Sequence, residues 1–282
     1  MKCPFCKKII PDDSKFCPDC GNPIKGPSVG SASSGESIAD TLDFTVGGVS
    51  FKMILVEHGE FMMGATEDQE DPFDDEKPAH KVKLTNDFYI GETPVTQALW
   101  RAVMNNNPSS FGEGGGGSYE DDWEALPVEC VSWNDCQRFI RNLNRMTDTK
   151  FRMPTEAEWE FAARGGNDSC GCQFSGSDYL DDVAWYGDNS YGETHPVKGL
   201  KPNELGIYDM SGNVWEWCSD WWKDGYNSSH QTNPQGPKSG SGHVYRGGGW
   251  CGSARCCRLS CRCEYSPDDA SRDLGFRLAL SE

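Results

Sequence analysis

The chain has 282 residues, of which 36% are hydrophobic and 11% aromatic, so it is long and apolar enough to build a packed core. Its formal net charge of −18 argues against a general affinity for nucleic acid or anionic membranes, because both repel an acidic surface. The 32 glycines and 16 prolines predict many turns and argue against a helical bundle. No run of about eighteen apolar residues occurs, so no membrane-spanning helix is predicted.

The first residues, Met-Lys-Cys-Pro-Phe-Cys, lack the apolar stretch of a signal peptide. We therefore expect a cytoplasmic protein. The fourteen cysteines are expected to be reduced thiols in that compartment and not a disulfide framework.

Two C-x2-C pairs stand near the start of the sequence. Cys3 and Cys6 form the first pair, and Cys17 and Cys20 form the second. Four thiolates at about 2.3 Å complete the tetrahedral shell of a structural zinc ion, which must supply most of the folding free energy of so short a segment. A redox C-x-x-C motif, the alternative, lacks the βαβ pattern expected around it and does not explain two pairs. Residues 1–25 resemble a zinc ribbon, for which we expect a role in docking a protein partner.

Residues 26–41 are mostly small and polar, which predicts a flexible linker before a large domain at 42–282. The domain begins with a predicted hairpin over 43–57, with Gly47 and Gly48 at its turn. Further strands are predicted at 61–64 and 81–84.

Three helices follow in the sequence pattern. The first is predicted to begin with Pro94 at its first position. The second is capped by Ser132 and carries an apolar face made of Phe139, Ile140, Leu143 and Met146. The third opens with a capping box at Thr155 and stops at Gly165. Beyond it turn-forming residues dominate, so the second half is expected to be irregular.

Three motifs resemble the formylglycine-generating-enzyme (sulfatase-modifying factor) family. They are the runs Arg152–Glu160 and Asn203–Trp217, and Arg246-Gly247-Gly248 together with Leu274–Arg277. The resemblance covers about 43–282 and implies a C-type-lectin-like α+β fold of the irregular, loop-rich kind. The family includes oxidases that use oxygen and Cu(I) to convert a sulfatase cysteine to formylglycine. It also includes scaffolds, the variable proteins of diversity-generating retroelements, whose C-terminal segment is randomised to bind new ligands.

The segment 246–277 decides between these two branches. The oxidase interpretation depends on Cys251 and Cys256, which keep the spacing of the oxidase cysteines. Two soft thiolates on one short loop suit Cu(I). However, Cys251 follows the Gly-Gly pair one residue early, and counting from the preceding arginine places the two positions on Gly252 and Cys257. In either register the segment departs from the oxidase pattern.

The scaffold interpretation explains more of the same segment. Residues that are fixed in retroelement variable proteins recur here as Trp250, Ala254-Arg255, Cys257-Arg258 and Pro267-Asp268. Most other positions hold residues that a randomised Asn codon reaches by changes at its adenines, although Glu264 does not. Predicted ligand-binding residues are Trp250, Cys251, Gly252, Ser253, Cys256, Leu259, Cys261, Cys263, Glu264, Tyr265, Ser266 and Asp269. Aromatic and small polar residues are typical of binding surfaces, and an unknown protein or peptide is the expected ligand.

A third interpretation is that the cysteines between 251 and 263 simply pack as small apolar residues. Their three neighbouring arginines make this a poor core composition, with Cys257 as the structural exception. We therefore predict a ligand-binding scaffold, with the copper-dependent oxidase as the alternative.

The resemblance also implies a calcium site. Asp209, Gly212, Val214 and Glu216 match the family's set of two carboxylates and two backbone carbonyls, and oxygen ligands suit Ca²⁺. The alternative is that Asp209 caps a turn and that Glu216 is the buried partner of an arginine.

Other chemistry-bearing residues predict no site. Cys170 and Cys172 are too close in sequence for an ordinary zinc pair. The histidines show no ligand spacing, and the sequence contains no phosphate loop, nucleotide fingerprint or nucleophile elbow.

Overall fold

The computed structural model describes Lys8 and residues 39–112, 114–115, 117–119 and 122–281. The chain divides into two units between Ile38 and Ala39, and the helices and strands of the described residues belong to the second unit. The predicted zinc ligands Cys3, Cys6, Cys17 and Cys20, and most of the predicted linker, lie outside the described residues. Within the described ranges, no helix combines the length and apolar character needed to cross a bilayer.

Twelve strands in the described residues form three sheets. In chain order they are β1 (Thr41–Val46), β2 (Val49–Val56), β3 (Gly59–Met63), β4 (His80–Leu84), β5 (Phe88–Gly91), β6 (Phe151–Arg152), β7 (Trp215–Trp221), β8 (Gln231–Thr232), β9 (His243–Arg246), β10 (Arg262–Tyr265), β11 (Leu274–Phe276) and β12 (Ala279–Ser281). The strand orders are β1-β2-β5-β12-β6, β10-β9-β7-β11 and β3-β4-β8.

The strands predicted from the first part of the domain are confirmed. β1 and β2 are antiparallel and bring Val46 opposite Val49. Gly47 and Gly48 turn the chain with φ of +58° and +86°, a region that favours glycine. The two further predicted strands correspond to β3 and β4.

Three helices connect the strands: α1 (Gln97–Met104), α2 (Trp133–Thr147) and α3 (Glu156–Ala163). Ser132 caps α2, and Thr155 forms a capping box with Glu158 at α3, as predicted. The predicted start of α1 is wrong. Thr96 is its N-cap and accepts a hydrogen bond from the Leu99 amide. The helix does not start earlier because the carbonyl of Val95 accepts from the amide of Val128 instead of from Leu99.

The core packs α1 and α2 against the strands. Trp100 of α1 stacks on Phe139 of α2 with ring centroids 5.1 Å apart, and both lie edge-on to Phe276 of β11. The buried face of α2 consists of Cys136, Phe139, Ile140 and Leu143. The prediction that Met146 belongs to that face is wrong, because 52% of its surface is exposed.

One expectation about the thiols is also wrong. Cys170 and Cys172 are joined by a disulfide, whereas the other described cysteines are free thiols. The domain is thus a mixed α+β fold with few helices, and its second half is rich in loops, as its glycine and proline content predicts.

Candidate ligand-binding face

Residues 246–277, the C-terminal segment, supply both edge strands of the four-stranded sheet. β10 pairs with β9 in antiparallel orientation, and β11 pairs with β7 in parallel orientation. The chain therefore crosses from one edge of this sheet to the other between residues 265 and 274. The sheet fixes both ends of the segment and leaves the loops between them at the surface.

The segment opens on a glycine turn. Gly247 and Gly248 have φ of +99° and +79°, which other residues rarely adopt. A Cβ atom on Gly248 would lie 2.7 Å from Cys257 Sγ and 3.0 Å from the carbonyl oxygen of Cys256. The turn therefore packs directly against the short 3₁₀ helix Ala254–Cys257.

Two buried arginines hold the middle of the segment. Arg258 donates from both terminal nitrogens to the carboxylate of Glu76, at 2.6 and 2.7 Å. Arg262 donates to both oxygens of Glu156, at 2.7 and 2.9 Å. Each of these side chains is at most 7% exposed. Removing either partner of a pair would leave a buried charge without a counter-charge. The two pairs therefore fix the backbone between Arg258 and Arg262.

The predicted ligand-binding residues divide by exposure. Five are exposed: Cys251, Ser253, Glu264, Tyr265 and Asp269. Five are partly exposed: Trp250, Gly252, Cys256, Cys263 and Ser266. The prediction that Leu259 and Cys261 bind ligand is wrong, because these side chains are 2% and 0% exposed and pack in the hydrophobic core. The exposed and partly exposed residues together form the candidate face, which leaves out Leu259 and Cys261.

Trp250 is held at the candidate face by groups that the sequence did not point to. Its indole nitrogen donates to the carbonyl oxygen of Arg272 at 2.9 Å, and its ring meets Phe111 edge-on at 5.3 Å. The Arg272 guanidinium lies 4.7 Å from the Phe111 ring centroid and 5.9 Å from that of Trp250. Phe111 lies far away in sequence, so no local pattern could have identified it.

The two thiols named as copper ligands differ in protonation. Burial and the Asp273 carboxylate, which accepts a hydrogen bond from Cys251 Sγ at 3.2 Å, raise the pKa of Cys251 to about 11. A hydrogen bond from the Cys261 thiol, supported by Ser253, lowers the pKa of Cys256 to about 6 against the effect of burial. These shifts favour the thiol at Cys251 and the thiolate at Cys256.

Residues 48–282 match the family described as the sulfatase-modifying factor enzyme 1-like domain. The chain belongs to this family. The match spans both edge strands of the candidate face and the buried arginines that hold it, so the family and the α+β fold class predicted from the sequence are confirmed.

Several known proteins are similar over most of the chain. The formylglycine-generating enzyme of Streptomyces coelicolor is 32% identical over 280 residues, covering 78% of this chain and 86% of the enzyme. The chaperone protein LppX of Paenibacillus barcinonensis is 31% identical, with 83% of this chain and 91% of LppX covered. Among solved structures, Treponema denticola variable protein 1 is 36% identical with a TM-score of 0.76, covering 87% of this chain and 100% of that protein.

Within this sulfatase-modifying-factor domain, the candidate copper ligands fit Cu(I) only in part. Both are sulfur donors on one loop, which is suitable chemistry for Cu(I). The lowered pKa of Cys256 favours its thiolate, but Cys251 would have to lose its proton beside the Asp273 carboxylate. Each sulfur also has a different hydrogen-bonding partner, Cys261 for Cys256 and Asp273 for Cys251.

The residues of the predicted calcium site do not fit the ion as they are arranged. Both oxygens of Glu216 accept hydrogen bonds from Arg277 at 2.6 Å, and one accepts another from the Trp159 indole at 2.7 Å. Asp209 accepts from the amide of Lys198 at 2.9 Å and from Asn213 at 3.3 Å. This is the arginine-partner arrangement given above as the alternative. Calcium binding with Gly212 and Val214 stays a prediction and requires Glu216 to exchange Arg277 for the ion.

Proposed function

We propose that this domain is a ligand-binding scaffold of the diversity-generating-retroelement type, which displays a variable face on the C-terminal segment. The ligand is a protein or peptide, and the protein carries out no reaction on it. The predicted zinc ribbon would then be a tethered module that docks a partner inside the cell.

The observation that supports this proposal is the division of labour within the segment. Several residues at fixed positions make anchoring contacts, since Arg258 pairs with Glu76 and Cys257 is fully buried. Two other fixed residues, Ala254 and Asp268, are exposed, and Asp268 accepts a hydrogen bond from Asn134 at 2.7 Å. Residues at the predicted ligand-binding positions, except the buried Leu259 and Cys261, reach the surface. A frame that is held from below tolerates changes above it, which is the property that a diversified binder needs.

A second candidate function is the copper-dependent oxidase. It is favoured by the thiolate state of Cys256 and by the 32% identity to a formylglycine-generating enzyme. It is disfavoured by Cys251, which is protonated and hydrogen-bonded to Asp273.

The scaffold proposal can be tested with two matched libraries of the full chain. One randomises the exposed positions Cys251, Ser253, Glu264, Tyr265 and Asp269, and the other randomises the buried positions Cys257, Arg258, Leu259, Cys261 and Arg262. We expect the first library to stay folded and to yield specific binders in selections against a protein panel, and the second to lose folded protein. Equal loss of folded protein in the two libraries, or no binder from the first, would contradict the proposal.

The oxidase candidate is tested separately. The full chain is loaded with Cu(I) and incubated aerobically with a Cys-x-Pro-x-Arg peptide, and the peptide is analysed by mass spectrometry. We expect no formylglycine. Conversion that disappears in both Cys251→Ser and Cys256→Ser would establish the oxidase and overturn the scaffold proposal.

A further inference from the structure

A short loop after α3 carries a pair of cysteines that the candidate face does not use. Cys170 and Cys172 are separated by Gly171 and joined as a disulfide. Gly171 has φ of +71° and no neighbour within 4 Å of the position a Cβ atom would occupy. Cys170 is exposed and Cys172 is partly exposed, so reductants and ions can reach both sulfurs.

Glu204 lies beside this pair. One of its carboxylate oxygens and the two sulfur atoms all lie within 4.8 Å of one another. The amide of Cys170 donates to the carboxylate of Glu204. Gly165 has no side chain and so leaves room for this carboxylate beside it. In the described part of the chain, no other group of three cysteine, histidine or carboxylate side chains converges this closely.

We propose that Cys170, Cys172 and Glu204 form a redox-gated site for a thiophilic divalent cation such as Zn²⁺. Two thiolates and one carboxylate are suitable ligands for Zn²⁺, and a water molecule completes the tetrahedral shell. The C-x-C spacing is closer than that of an ordinary zinc pair, but the fold places a third ligand, Glu204, beside both sulfurs. With the disulfide closed, neither sulfur is a thiolate and the site cannot hold the ion. The site is separate from the predicted zinc ribbon and does not depend on the proposed function.

The opening step balances in atoms and electrons. A dithiol reductant transfers two electrons and two protons, so the Cys170–Cys172 bond breaks, two thiols form, and the reductant becomes a disulfide. Binding of the cation then releases both thiol protons to solvent, because the ligands are thiolates. A disulfide oxidant reverses the step: it takes two electrons from the two thiolates and two protons from solvent to become a dithiol, the Cys170–Cys172 bond re-forms, and the ion is released.

The test compares the full-length wild type with the double variant Cys170→Ser/Cys172→Ser. Co²⁺ is titrated into each protein before and after reduction by a phosphine, and the bound metal and the sulfur-to-cobalt charge-transfer absorbance are measured. The cysteines at 3, 6, 17 and 20 are present in both proteins, so the difference isolates the loop. We expect a difference of one bound ion after reduction and none before it.

Two single variants sharpen the assignment. Glu204→Gln should lower the affinity for the additional ion by at least about tenfold. Even the loss of a partner that only supports a ligand has an effect of about this size. Cys130→Ser removes a free thiol elsewhere and should leave the additional ion in place. The proposal is overturned if reduced wild type binds no more Co²⁺ than the double variant, if the difference persists before reduction, or if Glu204→Gln binds the additional ion as tightly as wild type.

Discussion

Two cysteines of the candidate face show how much a single neighbour determines reactivity. Cys251 is the more exposed, but burial of its sulfur and the Asp273 carboxylate raise its pKa, whereas hydrogen bonds from Cys261 and Ser253 lower the pKa of Cys256. Since the thiolate is the reacting form, exposure and reactivity are reversed at this pair.

We therefore expect Cys256 to be alkylated faster than Cys251 at pH 7. The rate at Cys256 should rise through about pH 6 and then level off, whereas the rate at Cys251 should keep rising toward pH 11. Iodoacetamide labelling followed by peptide mass mapping between pH 5 and 9 measures both. In Cys261→Ala the midpoint for Cys256 should move to higher pH. Faster labelling of Cys251 at pH 7 would show that the hydrogen bonds are not as described.

The buried Arg258–Glu76 pair should contribute strongly to the stability of the domain. Both side chains are at most 1% exposed. Glu76→Gln leaves the guanidinium buried without a counter-charge, so the free energy of unfolding should fall by about 3–5 kcal/mol in urea denaturation. Lys201→Ala breaks the exposed pair with Asp182 and is the matched control, with an expected loss of about 0–1 kcal/mol. Similar losses in the two variants would contradict a structural role for the buried pair.

For helices and strands, features set by neighbouring residues can be predicted from the sequence, whereas features set by distant contacts cannot. The caps at Ser132 and Thr155 follow from side chains that bond to their own helix. The start of α1 depends on the amide of Val128, which takes the carbonyl of Val95, and Pro94 gives no local sign of this contact. The family motifs located the candidate face, but the burial of Leu259 and Cys261 depends on packing that no spacing shows.

The glycine turn gives a prediction at this scale. Gly248→Ala combines positive φ with a Cβ atom 2.7 Å from Cys257 Sγ, whereas Gly48→Ala has a similar φ of +86° and open space around it. We expect Gly48→Ala to lose about 1–2 kcal/mol of unfolding free energy, the cost of the left-handed conformation, and Gly248→Ala to lose more. Parallel urea denaturation measures both. Equal losses would mean that the turn is not packed against the 3₁₀ helix.

Across the whole domain, four buried arginines hold the C-terminal segment in place. Arg246, Arg258, Arg262 and Arg277 each pair with a buried glutamate, and together these pairs tie the C-terminal segment to distant parts of the chain. This frame does not depend on the residues at the surface. If the proposed function is correct, residues of the candidate face can vary without disturbing this frame.

Asp220 makes the stability of the whole domain depend on pH. Burial, and then the charge of Glu156, raise the pKa of Asp220 to about 7 in the folded protein. In the unfolded chain this carboxyl ionises near pH 4, so between about pH 4 and pH 7 the folded state binds the extra proton and stability falls as pH rises. At about 1.4 kcal/mol per unit of pKa, the loss from this one group is about 4 kcal/mol at most.

Asp220→Asn removes this titration, so its free energy of unfolding should fall less than that of the wild type between pH 4.5 and pH 7.5. Urea denaturation of both proteins at the two pH values gives the difference. Asp182→Asn, at an exposed carboxylate, should follow the wild-type profile. If Asp220→Asn also runs parallel to the wild type, Asp220 ionises normally in the folded protein, and the pH dependence of stability must come from other buried carboxyls such as Asp209 and Glu129, whose pKa values burial also raises.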